Sequence, residues 1–506
     1  MGFSSNGTVA GAMTGGRVSL LFLLFALALY QLYSSGLPAF AAICMLPVLI
    51  LGLICIFRFR MAPFWALFVI NYVIQWKNIT LPVPMSLPNE MLEMLLLALA
   101  IIDVKDAKFE RTANIMCGAL VVWSAFCTLQ ILNNSCGLGL QIGSWYQGAR
   151  LMAFQLLYAH LVFVLYVSNP KILMRYLVIW GAFAAFAAIW IWKQQNIGLT
   201  SAENAFLQGR GRTTHIINGG ATIRLFSIFG DAANYGVNTA VTAAAFLVFG
   251  INVKVKKYKY FFLTTGLLCA WATLPTGTRT ATFVLFAGIL AYVFLSKSFK
   301  IAIPVSIFAI MVYVILAFTD IGNGNAQIRR MRSGFNKDDA SMGVREMNQA
   351  LIKKYLRDAP WGIGLGMGMD NVPANNKFRK AATIPPDSEY VFIWVRTGYI
   401  GLTVFLVTTA IMFAGAAWIV LFRLRSPSLR GIGAGLASAF VAGQLGGYAN
   451  QVLMQFPNCL IFYGGLSIVF ILPHIEDEWI AYEKELLEKE AEKQRLKLEK
   501  KRASRV

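Results

Sequence analysis

The residue types best suited to chemistry in this chain are arginines outside the apolar runs and one aspartate, carried by four polar stretches. The first reads Arg224-Leu-Phe-Ser-Ile-Phe-Gly-Asp-Ala-Ala-Asn, so Arg224 lies just ahead of an apolar run whose first turns hold Asp231 and Asn234. Its guanidinium is either a binding group or an anchor snorkelling to the headgroup layer, because polar groups at that depth are costly unless they line a cavity. Arg210, Arg212 and His215 precede it in a Gly-rich stretch and read as solvated loop residues. The second stretch, Thr276-Gly-Thr-Arg-Thr-Ala, is a tight turn that puts Arg279 close to the start of a helix. Backbone N–H groups, threonine hydroxyls and a guanidinium together would cradle a phosphate. An arginine that only marks the membrane interface is the alternative.

In the third stretch Val344, Met347, Leu351, Tyr355 and Leu356 recur at helical spacing, with Ser341 as a possible N-cap and Pro360 as a stop. This predicts an amphipathic helix on or under the membrane surface, with Arg345 in its first turns. It runs into Trp361-Gly-Ile-Gly-Leu-Gly-Met-Gly, which follows no predicted strand and so is no dinucleotide fingerprint. That segment is a hinge or a loop whose backbone approaches a ligand. The fourth stretch is Pro385-Pro-Asp-Ser-Glu-Tyr-Val-Phe-Ile-Trp-Val-Arg-Thr-Gly-Tyr-Ile-Gly, where Asp387 and Ser388 open a helix. Asp387 is either an N-cap or a general base at the rim of the bilayer, where desolvation raises a carboxylate pKa and arginines lower it. Asp370, Asp387 and Glu389 gathered around a divalent cation is a further arrangement the sequence leaves open.

The elements that must position these residues are membrane helices. The chain has 506 residues, 57% of them hydrophobic and only 14% charged, with a mean hydropathy of +0.60; that is too apolar for a soluble fold. The formal charge of +21 sits in short clusters between apolar runs, which is the pattern of a positive-inside topology and not of a nucleic-acid partner. The seven cysteines show no CxxC pair and no metal-ligand spacing, so they read as small core hydrophobes. The apolar run Val18–Tyr33 has no convincing cleavage site after it and reads as a retained first helix. Spans of about 20 apolar residues fall near 18–34, 37–57, 62–76, 88–103, 114–132, 150–168 and 172–192, then near 230–251, 258–275, 280–296, 300–318, 389–422, 431–449 and 457–475. The run 389–422 reads as a short surface helix followed by a span.

With the N-terminus inside, every second connection is basic: Arg58 and Arg60, then Lys105, Lys108 and Arg111, Lys171 and Arg175, Lys254 to Lys259, Lys297 and Lys300, and Arg423 to Arg430. The expected fold is therefore an all-α polytopic membrane protein with about 12–14 transmembrane helices, both termini cytoplasmic, and a long, partly helical periplasmic loop. Its segments are N-terminal transmembrane helices over 1–192, a first large external loop over 193–229, transmembrane helices with the Arg279 turn over 230–318, a second large loop over 319–387, and C-terminal transmembrane helices over 388–475. A charged tail over 476–506 reads as a solvated cytoplasmic helix. Loops as long as the two external ones are usually functional, and their arginines lie where the positive-inside rule gives them no reason to be.

From Arg224 to Gly401 the chain resembles the bacterial O-antigen ligase and O-antigen polymerase family, integral membrane glycosyltransferases that use lipid-linked sugars. The ligase pattern has a histidine, a small polar residue, nine further residues and then Gly-x-x-Gly. Here Asp387-Ser388 is followed by nine residues and Gly398-Tyr-Ile-Gly401, so the spacing matches and the first residue differs. Arg224 with its Phe-Gly-Asp-Ala-Ala-Asn sequel, the Thr-Arg-Thr-Ala turn at Arg279, and Arg345 ahead of Pro360-Trp-Gly-Ile-Gly resemble the family's arginine positions. The resemblance implies an inverting transfer in the inner membrane, on the periplasmic face, needing no metal or other cofactor. The donor is an undecaprenyl-pyrophosphate-linked glycan and the acceptor a glycan or lipid-linked hydroxyl. Arg224, Arg279 and Arg345 would hold the pyrophosphate, Asp387 would replace the ligase histidine as base, and Ser388 and Arg396 would support them. The departure at Asp387 favours a polymerase, or a member with another acceptor, over a ligase. A polytopic transporter or lipid-linked oligosaccharide flippase is the competing class, predicting ionisable residues deep in the spans and an internal repeat. A noncatalytic component of an envelope assembly machine, contacting partners through the tail, is a third.

Overall fold

The computed structural model describes residues 56–79, 87–103, 107–209, 211–217, 222–296, 299–321 and 340–504, with isolated positions elsewhere. The spans expected near 18–34 and 37–57, Cys44, Cys55, Arg210 and most of 322–339 lie outside the described residues. The chain divides into two compact units, residues 1–65 and 66–506, and the second contains the helical bundle.

Helices α1 (Ala62–Val73), α2 (Leu87–Ile102) and α3 (Ile115–Leu129) lead to α4 (Ile142–Tyr166), which carries a π turn at Arg150–Phe154. They continue with α5 (Pro170–Asn196), the short α6 (Ser201–Gln208), α7 (Ala232–Asn252), α8 (Lys256–Ala272), α9 (Arg279–Leu295) and α10 (Phe299–Phe318). Then come α11 (Ala340–Tyr355), α12 (Glu389–Trp418), α13 (Pro427–Ala449) and α14 (Gly465–Ala503). Among the described residues six helices are long and apolar enough to cross a membrane, counting the 3-10 and π turns that extend α3, α12 and α14, and α9 is a shorter apolar helix. The protein is thus an all-α polytopic membrane protein. A two-residue antiparallel hairpin, Ile216–Ile217 with Thr222–Ile223, is the regular extended structure among the described residues.

The centre is α7, nearly every residue of which is buried, packed by α8, α9 and α13. Small residues permit this. A Cβ on Gly288 would stand 2.6 Å from Ala244 Cβ, one on Gly435 2.5 Å from the Phe249 ring, and one on Gly446 2.6 Å from Val237. Close approach through Gly and Ala is how membrane helices associate where lipid offers no hydrophobic gain. His160 fits the same logic, its Nδ1 lying 2.8 Å from Ser467 Oγ inside the bundle.

The tail departs from the solvated helix expected of it. Over its first half it packs on the basic connections: Glu476 accepts the N–H groups of Arg425 (2.6 Å) and Ser426 (2.7 Å), and Glu490 accepts those of Lys256 and Lys257 (both 3.1 Å). Trp479 is buried with its Nε1 donating to Ser428 Oγ at 3.0 Å. The carboxylates cap the starts of α13 and α8, where unpaired N–H groups and the helix dipole favour negative charge.

Candidate functional site

The site grows from the Thr276–Arg279 turn, at the end of the bundle opposite those basic connections. Gly277 takes a left-handed φ of 56°, which lets a single residue reverse the chain into α9. Thr278 Oγ1 donates to Ala232 O (3.0 Å) and accepts from Arg224 Nη2 (2.9 Å), while Arg224 Nη1 donates to Thr214 O (3.2 Å). Arg224 is therefore tied to the turn, not snorkelling to lipid. Burial holds its pKa below the ordinary value, Asp231 opposes that, and the like charge of Arg279 lowers it further. Gly236 keeps the turn seated, since a Cβ there would meet Thr278 Cβ at 2.9 Å.

The two helix starts at this point differ. Asp231 caps α7, accepting from the N–H groups of Ala233 and Asn234 at 2.9 Å each. The start of α9, which begins at Arg279, has no side-chain cap. Its positive end lies at the turn that Arg224 holds. His215, expected as a solvated loop residue, is buried: its Nε2 accepts from Ala232 N at 3.3 Å, leaving Nδ1 to donate to Gly211 O at 3.1 Å. Burial lowers its pKa, and the neutral ring seats the loop on the start of α7. Arg212 is exposed, as expected.

From the turn the network crosses to α13 and α11. Asn450, at the end of α13, donates from Nδ2 to Thr280 Oγ1 (3.1 Å), and Arg345 Nη2 donates to the neighbouring Ala449 O (2.9 Å). One turn along α11, Asn348 Nδ2 donates to Asp387 Oδ2 at 3.1 Å. Hydrogen bonds and short stretches of backbone thus place Arg224, Arg345 and Asp387 around the turn that carries Arg279. Ser388, and not Asp387, caps α12, accepting from Tyr390 N at 3.2 Å, and its Oγ donates to Gly447 O at 3.3 Å. Asp387 itself takes a left-handed φ of 48°, a conformation Asp tolerates better than most residues. Of the expected stripe, Leu356 just beyond α11 is buried, as is Ile352 within it, while Val344, Met347 and Leu351 are exposed. Ser341 lies inside the helix, not ahead of it.

The Gly-rich segment approaches protein backbone instead of a ligand. Helix α12 breaks at Gly398 (φ 70°), where a Cβ would stand 1.9 Å from Pro360 O. The carbonyls freed by the break accept from the segment: Val395 O from Ile363 N and Arg396 O from Gly364 N, both at 3.0 Å. Gly362, Gly364 and Gly366 all have positive φ. This gives the Gly-x-x-Gly spacing a structural reason. Arg396 sits at the same break with its guanidinium carbon 5.2 Å over the Phe392 ring. Among the described residues it shares no hydrogen bond with the other arginines or with Asp387.

Further residues support the site in ways the sequence did not indicate. Glu389 is buried, and its carboxylate faces the N–H groups of Val452, Leu453 and Met454, with Leu453 N at 3.0 Å. It holds the connection 450–458 under the cluster. An amide ladder holds the other side: Asn458 Nδ2 donates to Asn234 Oδ1 (2.6 Å) and Asn238 Nδ2 to Asn458 Oδ1 (2.7 Å). That ladder satisfies the polar groups in the first turns of α7. Among the described residues no three His, Cys, Asp or Glu side chains gather as a metal site, so Asp370, Asp387 and Glu389 do not form a cation cluster. Glu389→Ala should lower stability by about 1–3 kcal/mol, because it strands buried N–H donors, and Glu389→Gln should recover part of that. Thermal unfolding in detergent checks both.

A polytopic helical membrane protein that gathers arginines and a carboxylate at one end of its bundle is equipped to hold an anionic substrate at the membrane surface. Residues 264–406 match the family model described as O-antigen ligase, so this part of the chain is similar to that family. It takes in Arg279, Arg345 and Asp387 and leaves Arg224 outside. No curated protein matches the chain.

Proposed function

We propose that the protein transfers or polymerises an undecaprenyl-pyrophosphate-linked glycan on the periplasmic face of the inner membrane, by an inverting reaction without a metal. The observation that carries this is the start of α9, where the N-cap residue makes no side-chain cap, with Arg224 bonded to Thr278 and with Arg345 and Asp387 tied to the neighbouring end of α13 and to Asn348. The pyrophosphate takes the place beside Arg279 and the helix start, where charge-assisted, bidentate contacts strengthen as negative charge develops. An acceptor hydroxyl oxygen attacks the anomeric carbon from the side opposite the phosphate, and its proton passes to the Asp387 carboxylate. The bond from the anomeric carbon to the phosphate oxygen breaks, and its electron pair leaves on the pyrophosphate. Guanidinium groups supply the neutralisation that a divalent cation gives elsewhere.

One observation favours the transporter or flippase reading. Glu93 is buried within α2, beside Asn89, which accepts from Asn71 Nδ2, and an intramembrane carboxylate is a functional candidate by default. The arginine cluster has no such role in that reading. Purified protein in nanodiscs, given polyprenyl-pyrophosphate-linked oligosaccharide and an acceptor, should release polyprenyl pyrophosphate at the same rate with and without EDTA. Lengthened lipid-linked chains mark a polymerase, and glycan moved to a different acceptor marks a ligase. No release with any acceptor, alongside movement of the intact lipid-linked glycan between leaflets, would replace this reading with the flippase.

A further inference from the structure

At the end of the bundle that carries the basic connections, the start of α3 meets α12 and α14 around a groove of about 600 Å³. Its length is apolar, formed by Ile115, Ile411, Ile419 and Phe470, and it closes at Gly415, where a Cβ would stand 2.5 Å from Ile115. Its other end carries Arg423 and His474. Irregular backbone opens it: the π turn Ile419–Arg423 ends α12, and Pro473 interrupts the hydrogen-bond ladder of α14.

The charges at that end are unevenly committed. Arg425 is held by Glu476 (3.3 Å) and Asp477 (2.6 Å). Arg423, two residues away, has no hydrogen-bond or ion-pair partner among the described residues, and neither has His474. Lys108, Arg111 and Arg423 all bear electrostatically on His474, with Glu110 as the opposing carboxylate. Arg111 is itself anchored to Ser168 O at 3.2 Å. A lined apolar slot ending in Arg423 and His474, where the cations Lys108, Arg111 and Arg423 outnumber the carboxylates Glu110 and Glu478, is complementary to one kind of molecule, an acyl chain joined to a phosphate.

We propose that this groove is a binding site for an anionic glycerophospholipid, its acyl chain along Ile411 and Phe470 and its phosphate on Arg423 beside His474. The site is separate from the arginine cluster at the opposite end and does not depend on the reaction proposed there. Basic pockets between membrane helices hold anionic headgroups, each nearby cation contributing about fivefold in affinity.

Native mass spectrometry of the full chain with phosphatidylglycerol or phosphatidylcholine tests it. Wild type should retain phosphatidylglycerol at least about fivefold more strongly. Arg423→Ala should remove most of that preference and Arg425→Ala should leave it in place. Ala414→Trp, which fills the groove, should abolish retention of phosphatidylglycerol even if Arg423→Ala is too unstable to purify. Equal retention of the two lipids by wild type would overturn the proposal. So would an Arg425→Ala loss as large as that of Arg423→Ala, since diffuse rim charge would then be the cause, or undiminished retention by Ala414→Trp.

Discussion

Arg279→Ala should reduce glycan transfer by about 10²–10³-fold, the cost of removing one preorganised group that stabilises developing charge, while membrane expression stays at wild-type level. The residue is chosen because it opens α9 and lies within the stretch that matches the family model. Arg224 fastens the loop to Thr214, Thr276 and Thr278, and Arg345 fastens α11 to Ala449, so their loss mixes folding with binding. Arg279 opens α9, whose start lacks a side-chain cap. Lysine there keeps the charge but not the planar pair of donors, so Arg279→Lys should recover only part of the activity. The measurement is complementation of a strain lacking this protein, scoring surface-glycan length and attachment. Short unpolymerised units point to a polymerase, and accumulated long lipid-linked chains to a ligase. Normal glycan from a normally expressed Arg279→Ala protein would sink the assignment of the cluster.

Asp387→Asn should cost about 10²–10⁴-fold, the range for a lost general base. Asparagine is the informative replacement because it tolerates the left-handed backbone that Asp387 adopts and can still accept from Asn348. Alanine would add about 1–2 kcal/mol of backbone strain and blur loss of chemistry with loss of fold. Ser388 already caps α12, so helix initiation survives the change. The expected result is a variant with wild-type thermal stability that still protects the lipid-linked donor from exchange but releases no polyprenyl pyrophosphate. Full transfer by Asp387→Asn would assign the proton to another group and leave Asp387 a partner for Asn348.

The arginines stood out in the sequence because they lie in polar stretches where the positive-inside rule gives no reason for charge. Their grouping did not. Arg224 and Arg345 lie 121 positions apart; Arg224 reaches the Arg279 turn directly through Thr278, and Arg345 reaches it by way of the end of α13, where Ala449 accepts from Arg345 and Asn450 donates to Thr280. Nothing in the stretch Gly-Gly-Tyr-Ala-Asn announces that role, since its contribution at Ala449 is a backbone carbonyl. His215 was misread for a related reason: a Gly-rich stretch looks solvated until Phe206 and Phe226 are seen to close on its ring at 5.4 and 5.1 Å. Glu389 had a single hint, a carboxylate at the mouth of an apolar run, and its partners are again backbone N–H groups.

By itself the sequence determined the class of fold, because hydropathy and alternating basic connections answer to the bilayer and need no knowledge of which helix touches which. It also determined which residues were candidates and the Gly-x-x-Gly spacing. Tertiary structure alone decided that Gly398 is a break filled by Pro360, that α7 is the buried centre, that α9 starts without a cap while α7 has Asp231, and that the tail packs on the helix starts. These turn on contacts between residues tens to hundreds of positions apart. Such contacts are set by close packing of small residues and by the need to satisfy every buried backbone group, and neither leaves a local mark in the chain.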